Sequence, residues 1–147
     1  MAFRSAFLIA LLGALLAAPD AHAQGADEAT GLWQTQAGDA RVRVSKCGGA
    51  LCATVASLRD RIDPKTGKPA VDDKNPDPAR ATRPIVGINL FIDMRPAGQN
   101  RWSGQIYNAD DGRVYASNVS VAGPDTLKVE GCVGAFCGGE NWSRVGK

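Results

Sequence analysis

The chain has very little histidine. His22 is the only one, and it stands close to the N-terminus. Downstream of it the commonest general base near neutral pH and the commonest metal ligand are missing. A serine or cysteine nucleophile activated by histidine is therefore excluded from the body of the protein. Long apolar runs are equally scarce. Phe7 to Ala18 is the one such stretch, and no later segment is apolar enough to cross a bilayer as a helix. No single sign of charge dominates, with 17 basic and 15 acidic residues, and the basic ones are scattered rather than gathered in a stripe. That balance argues against nucleic acid as the main partner. Helical periodicity is nearly absent.

What is present begins with a leader. Arg4 supplies a basic n-region, and Phe7 to Ala18 is too short to span a membrane comfortably. Pro19 breaks the run, and Ala21-His22-Ala23 places small residues where a signal peptidase pocket needs them. The sequence predicts a signal peptide over 1–23, cleaved after Ala23, and one domain over 24–147. The competing reading, a buried N-terminal helix, lacks the polar face such a helix carries. No cysteine directly follows the cleavage point, the first being Cys47, so no lipid attachment is expected. Arg4 and Asp20 cancel, and the mature chain keeps the net charge of +2. The expected location is the periplasm.

Four cysteines fall in two matching pairs, Cys47 with Cys52 and Cys132 with Cys137. Export places them in an oxidising compartment, where disulfides are the default. Three pairings are open. Two local bridges are favoured, because each intervening stretch contains glycine and can turn back on itself. A four-thiolate metal site is the sharper alternative, but the gaps are wider than those of zinc knuckles. No metal and no cofactor is expected.

The rest reads as strands and turns. Strands are predicted at Leu32–Thr35, Arg41–Lys46, Leu51–Leu58, Ile88–Arg95, Trp102–Asn108, Val114–Val121, Thr126–Gly131 and Asn141–Val145. Val42 and Val44 alternate with Arg41, Arg43 and Ser45. Leu90, Ile92 and Met94 are expected on one face of their strand, with Phe91, Asp93 and Arg95 on the other. About eight strands joined mostly by short turns predict an all-β fold, a single antiparallel up-and-down β-barrel, since closure removes exposed edges. An open β-sandwich is the alternative.

Arg59 to Pro84 interrupts the pattern. It holds Pro64, Pro69, Pro76, Pro78 and Pro84, with Asp60, Asp63, Asp72, Asp73 and Asp77. Connections this long in so small a domain are usually functional or disordered. A short helical turn is expected near Asp77 to Arg80. Asp73 to Asp77 superficially matches a calcium loop, but Pro78 occupies the glycine position and Pro84 the glutamate position.

Several blocks carry a family resemblance. The first strand opens with Gly31-Leu32-Trp33, and the last carries Trp142-Ser143-Arg144. This pattern resembles the lipocalin-like barrels, in which an arginine of the final strand lies over the first-strand tryptophan; cation–π attraction gives that pairing a physical reason. The chain more specifically resembles the DUF2147 family of exported bacterial proteins. Asp63-Pro64-Lys65-Thr66-Gly67-Lys68-Pro69 carries it, running on through Asp73 to Pro78, Arg83, Pro84 and Gly87. Trp102-Ser103-Gly104-Gln105-Ile106-Tyr107-Asn108 with Gly112 and Tyr115 adds to it, as does Leu127 to Gly131 with Trp142 to Val145. The resemblance implies a lipocalin-like barrel in the periplasm and no established activity. Under it, Trp33, Trp142 and Arg144 are structural.

Functional residues are sought in the loop and beside it. Asn75, Arg80 and Arg83 set polar groups among stiff prolines, where they could line a ligand site; a structural cap is the plainer reading. Tyr107 and Tyr115 flank the Asp110-Asp111-Gly112 turn. They could both point inward to a ligand or be aromatic neighbours across the hairpin. Asp110 and Asp111 are a poor catalytic pair, because neighbours on a strand face opposite ways. The expected function is binding of a small, partly apolar molecule in the barrel, with room left by Ala53, Gly104, Ala116 and Gly131. The alternatives are a filled barrel acting as a protein-interaction module, its partner unspecified, and a histidine-free enzyme.

Overall fold

The computed structural model describes residues 21–147. Most of the expected signal peptide, including Arg4 and the apolar run, lies outside the described residues. A helix, α1 (Ala21–Ala29), precedes eight strands: β1 (Gly31–Gln34), β2 (Ala40–Cys47), β3 (Ala50–Leu58), β4 (Phe91–Gly98), β5 (Arg101–Asn108), β6 (Arg113–Gly123), β7 (Thr126–Val133) and β8 (Phe136–Gly146). Each strand pairs antiparallel with the next, and β8 returns to β1, so the sheet closes into a barrel. The open sandwich is excluded.

Alternation decides which side chains enter the barrel. Val42 and Val44 of β2 are buried against Val55 and Ala53 of β3, while Arg41, Arg43 and Ser45 are exposed. Each fully buried aliphatic side chain contributes about 1.5–3 kcal/mol. Three tryptophans, Trp33, Trp102 and Trp142, join Leu51, Phe91, Met94 and Leu127 in the core. Phe91 and Trp142 stack with ring centroids 6.0 Å apart and planes 7° from parallel. An eight-stranded barrel is just wide enough for side chains of this size to fill it.

β4 departs from the expected alternation. Phe91 and Met94 are both buried, whereas Ile92 is exposed. The β4–β5 register shifts between Ile92 and Arg95, and Asp93 adopts a φ of 46°. This is a bulge, which sends two residues three apart to the same face. It also displaces main chain toward β5, since a Cβ on Gly104 would lie 2.5 Å from the Asp93 carbonyl oxygen.

One end of the barrel is sealed. Ala29 of α1 is fully buried and Ala26 packs on the core. The Trp33 indole N–H donates to the Ala29 carbonyl at 2.9 Å. Arg144 lies over the Trp33 ring with Cζ 4.1 Å from its centroid, and donates to the carbonyls of Thr30, Glu28 and Pro124. Both local disulfides form, Cys47–Cys52 at the β2–β3 turn of this end and Cys132–Cys137 at the β7–β8 turn of the other. The four thiols are consumed, which removes the four-thiolate alternative.

Candidate functional site

The end opposite α1 is not filled to its rim. Trp142, Glu140, Gly138 and Phe136 follow one another on the inward face of β8, two residues apart. Their β7 partners are Leu127, Val129, Gly131 and Val133. The two deep pairs belong to or border the core, with Trp142, Leu127 and Val129 buried. Above them stands the pair Gly131 and Gly138. A Cβ on Gly138 would meet nothing within 4 Å. Above that again are Val133 and Phe136, left 69 % and 85 % exposed. Ile106 and its partner Tyr115 continue the inner wall on β5 and β6. The result is a shallow mouth with a glycine floor and an apolar lip. It opens sideways too: β8 pairs with β7 from Phe136 to Ser143, but with β1 only between Ser143 and Gly146.

Two acids border this mouth. Glu140 accepts the Trp142 indole N–H. Asp111, on the β5–β6 turn, accepts the Tyr115 hydroxyl. That hydrogen bond holds the Asp111 carboxyl below the usual carboxylate range and raises the Tyr115 phenol above its ordinary value.

Below the glycine floor the inward side chains are buried. Ser117, paired with Gly104 and Gly131, is 2 % exposed, and its hydroxyl has no partner among the described residues. Of the small residues expected to leave room in the barrel, Ala53 is fully buried and Gly104 abuts the β4 bulge. Ala116 pairs with Cys132 on the outer face and is exposed. A Cβ on Gly131 would lie 3.6 Å from Tyr115 Cβ, in ordinary contact with the inner wall, so the open space is on the Gly138 side. Large side chains of the core and the β4 bulge stand where Ala53 and Gly104 were expected to leave room.

The loop residues gather elsewhere. Tyr107 pairs with Val114 and faces outward, opposite to Ile106 and Tyr115. The two tyrosines therefore share neither a pocket nor a cross-strand contact. Tyr107 is nevertheless buried, because the β3–β4 loop lies over it. Its hydroxyl donates to Asp72 Oδ1 at 2.5 Å and accepts from Asn75 Nδ2 at 3.0 Å. Burial raises the Tyr107 phenol above its ordinary value, and the bond to Asp72 adds to that. Asp72 is fully buried. Its Oδ2 receives Arg83 Nε and Nη2, both at 2.9 Å, and Asn75 Nδ2 at 2.9 Å. Arg83 also lies 5.7 Å from the Tyr107 ring centroid.

This cluster staples the loop to the barrel. It unites Asn75, Arg83 and Tyr107 but leaves out Arg80, which pairs with Asp77 at 3.4 Å in the helical turn expected there. Asp72 is the residue that sequence reasoning missed. It was one of five loop aspartates, and nothing in the order of residues marks the single buried one. Prolines hold the remaining loop in two isolated bridges, Ile62 with Pro69 and Val71 with Pro84. Among the described residues no group of three histidine, cysteine, aspartate or glutamate side chains could hold a metal ion. No described helix is long and apolar enough to cross a membrane.

A closed eight-stranded antiparallel barrel with one sealed end and one shallow mouth is a lipocalin-like fold. A solved structure from Helicobacter pylori, described as a protein belonging to the lipocalin family, superposes with a TM-score of 0.67 at 23 % identity, covering 79 % of this chain and 82 % of that one. The model of the DUF2147 family, described as uncharacterised protein conserved in bacteria, matches residues 31–144. The chain belongs to that family. No curated protein matches it.

Proposed function

We propose that this is a periplasmic binding protein for a small, partly apolar molecule, taken up in the shallow mouth. The observation that carries this is the exposed inward pair Val133 and Phe136 above the open glycine floor at Gly138. Apolar side chains on the inner face of a barrel strand are normally covered. Here they stand where a ligand would cover them, with the Tyr115 hydroxyl and the carboxylates of Asp111 and Glu140 available to orient it. The lipocalin-like fold is compatible with such a role. The leader read from the sequence and the two disulfides support export.

Native mass spectrometry of protein purified from the periplasm, compared with its denatured mass, tests this. A non-covalent adduct is expected in the parent protein. It should be lost in Gly138→Leu, which fills the floor without entering an occupied space. A clean mass in both sinks the reading in favour of its rival, an interaction module. The same exposed Val133 and Phe136 are what favour that rival, since a partner protein could cover them instead.

A further inference from the structure

The β3–β4 loop creates a second concavity that shares no residue with the mouth. A groove of about 510 Å³ runs between the end of β3 and the loop. That volume lies within the roughly 300–1,000 Å³ typical of small-molecule sites. Ala56 and Leu58 of β3 form one wall. Ile62, Pro69, Pro84 and Val86 form the other. Ile62 and Val86 remain 50 % and 47 % exposed, although both sit on stiffened chain. The Ile62–Pro69 bridge and the Ile85 N–H to Ala70 carbonyl bond at 3.1 Å brace the loop wall from within. The Asp72 staple anchors the loop that carries them.

One charge lines this groove, and it is cationic. The Arg61 guanidinium makes no hydrogen bond or ion pair among the described residues. The acids that flank it in sequence are engaged: Asp60 pairs with Arg59 at 3.5 Å, and Asp63 Oδ1 accepts the Lys65 backbone N–H at 2.7 Å. An unpaired guanidinium at the edge of an apolar trough is matched by a carboxylate at the end of an apolar body. Its planar fork suits two parallel N–H···O bonds to such a group.

We infer that this groove is a binding site for a single-chain carboxylate amphiphile, with the apolar chain along Leu58, Ile62, Pro84 and Val86 and the carboxylate on Arg61. The site is independent of the mouth. It also gives the stiff loop a purpose that capping the barrel does not require, because the two bridges shape a trough rather than cover a core.

The test is titration of the isotope-labelled mature protein with decanoate below its micellar concentration, followed by NMR. Decanoate is expected to shift the backbone amides of Ile62, Ala70 and Val86. Arg61→Gln should weaken it about tenfold, in line with the loss of a charge-assisted hydrogen-bond pair. Decanol and decyltrimethylammonium should bind more weakly than decanoate. Ala70→Leu, which narrows the groove and leaves Arg61 in place, should weaken all three. Equal affinity of decanoate for the parent and Arg61→Gln overturns the inference. So does an absence of shifts up to the solubility limit, which leaves the mouth reading to its own mass measurement. Shifts at Tyr115, Gly138 and Glu140 instead overturn the groove site while supporting the mouth.

Discussion

Two buried polar residues on β6 and in the loop have opposite fates. Ser117 is enclosed with an unpartnered hydroxyl, and an unsatisfied buried group costs about 1–3 kcal/mol. Ser117→Ala should therefore raise the urea midpoint, by about 1 kcal/mol in stability. A fall instead would show that the hydroxyl has a partner in solution. Asp72 is equally enclosed but satisfied three ways, by Arg83, Asn75 and Tyr107. Asp72→Ala should cost about 2 kcal/mol, the scale of hydrogen bonds to a charged group. The loss should show first as faster proteolysis within the 59–90 loop. Trp33→Ala removes a fully buried indole together with the surface on which Arg144 rests, and about 3–5 kcal/mol of stability should go with it. Thermal melting checks that value, and an unchanged melt would contradict the sealing role of the pair.

Among the elements, β4 shows where a strand pattern misleads. Its sequence alternates well on paper, yet Phe91 and Met94 enter the same core. The extra residue of a bulge leaves no hydropathy signature. Asp93 is the only local hint, because aspartate tolerates a positive φ better than most residues. Asp93→Val should destabilise the fold by about 1–2 kcal/mol, whereas Asp93→Gly should be tolerated, as urea titration of the pair would show. By contrast β2, β3 and the β5–β6 hairpin were legible, since glycine- and aspartate-containing turns bound them; β2 and β3 bury one face with a period of two, and only Tyr107 of β5, covered by the loop, breaks it. The seal was legible too, from Gly31, Trp33 and Arg144. The mouth was not. Whether Val133 and Phe136 face inward depends on the register of β7 with β8, and whether they are covered depends on how far β1 extends. Helix α1 was also missed: Gly25 and Ala29 are buried and Ala26 packs partly on the core, and small residues in so short a helix give little periodic signal. The leader and its cleavage remain expectations from sequence.

For the molecule as a whole, both tyrosines titrate above their ordinary value, Tyr107 chiefly through burial and Tyr115 chiefly through its bond to Asp111. A raised folded-state value means that the folded protein holds its phenolic protons more tightly than the unfolded chain. The stability linked to them is complete below the unfolded value of about 10 and is lost as pH rises through the folded values. Phenolate absorbance of the native protein should rise at higher pH than that of the urea-unfolded chain, and coincident curves would contradict both contacts. The disulfides act on the same scale. Each closes a short loop and contributes about 2 kcal/mol on the chain-entropy model. Their arrangement has a consequence for how the protein is made. Each bridge joins two consecutive cysteines, five residues apart, so no bridge spans another. A thiol oxidase that meets the cysteines in order of emergence makes both native bonds and no wrong one. Such a chain can mature without a disulfide isomerase.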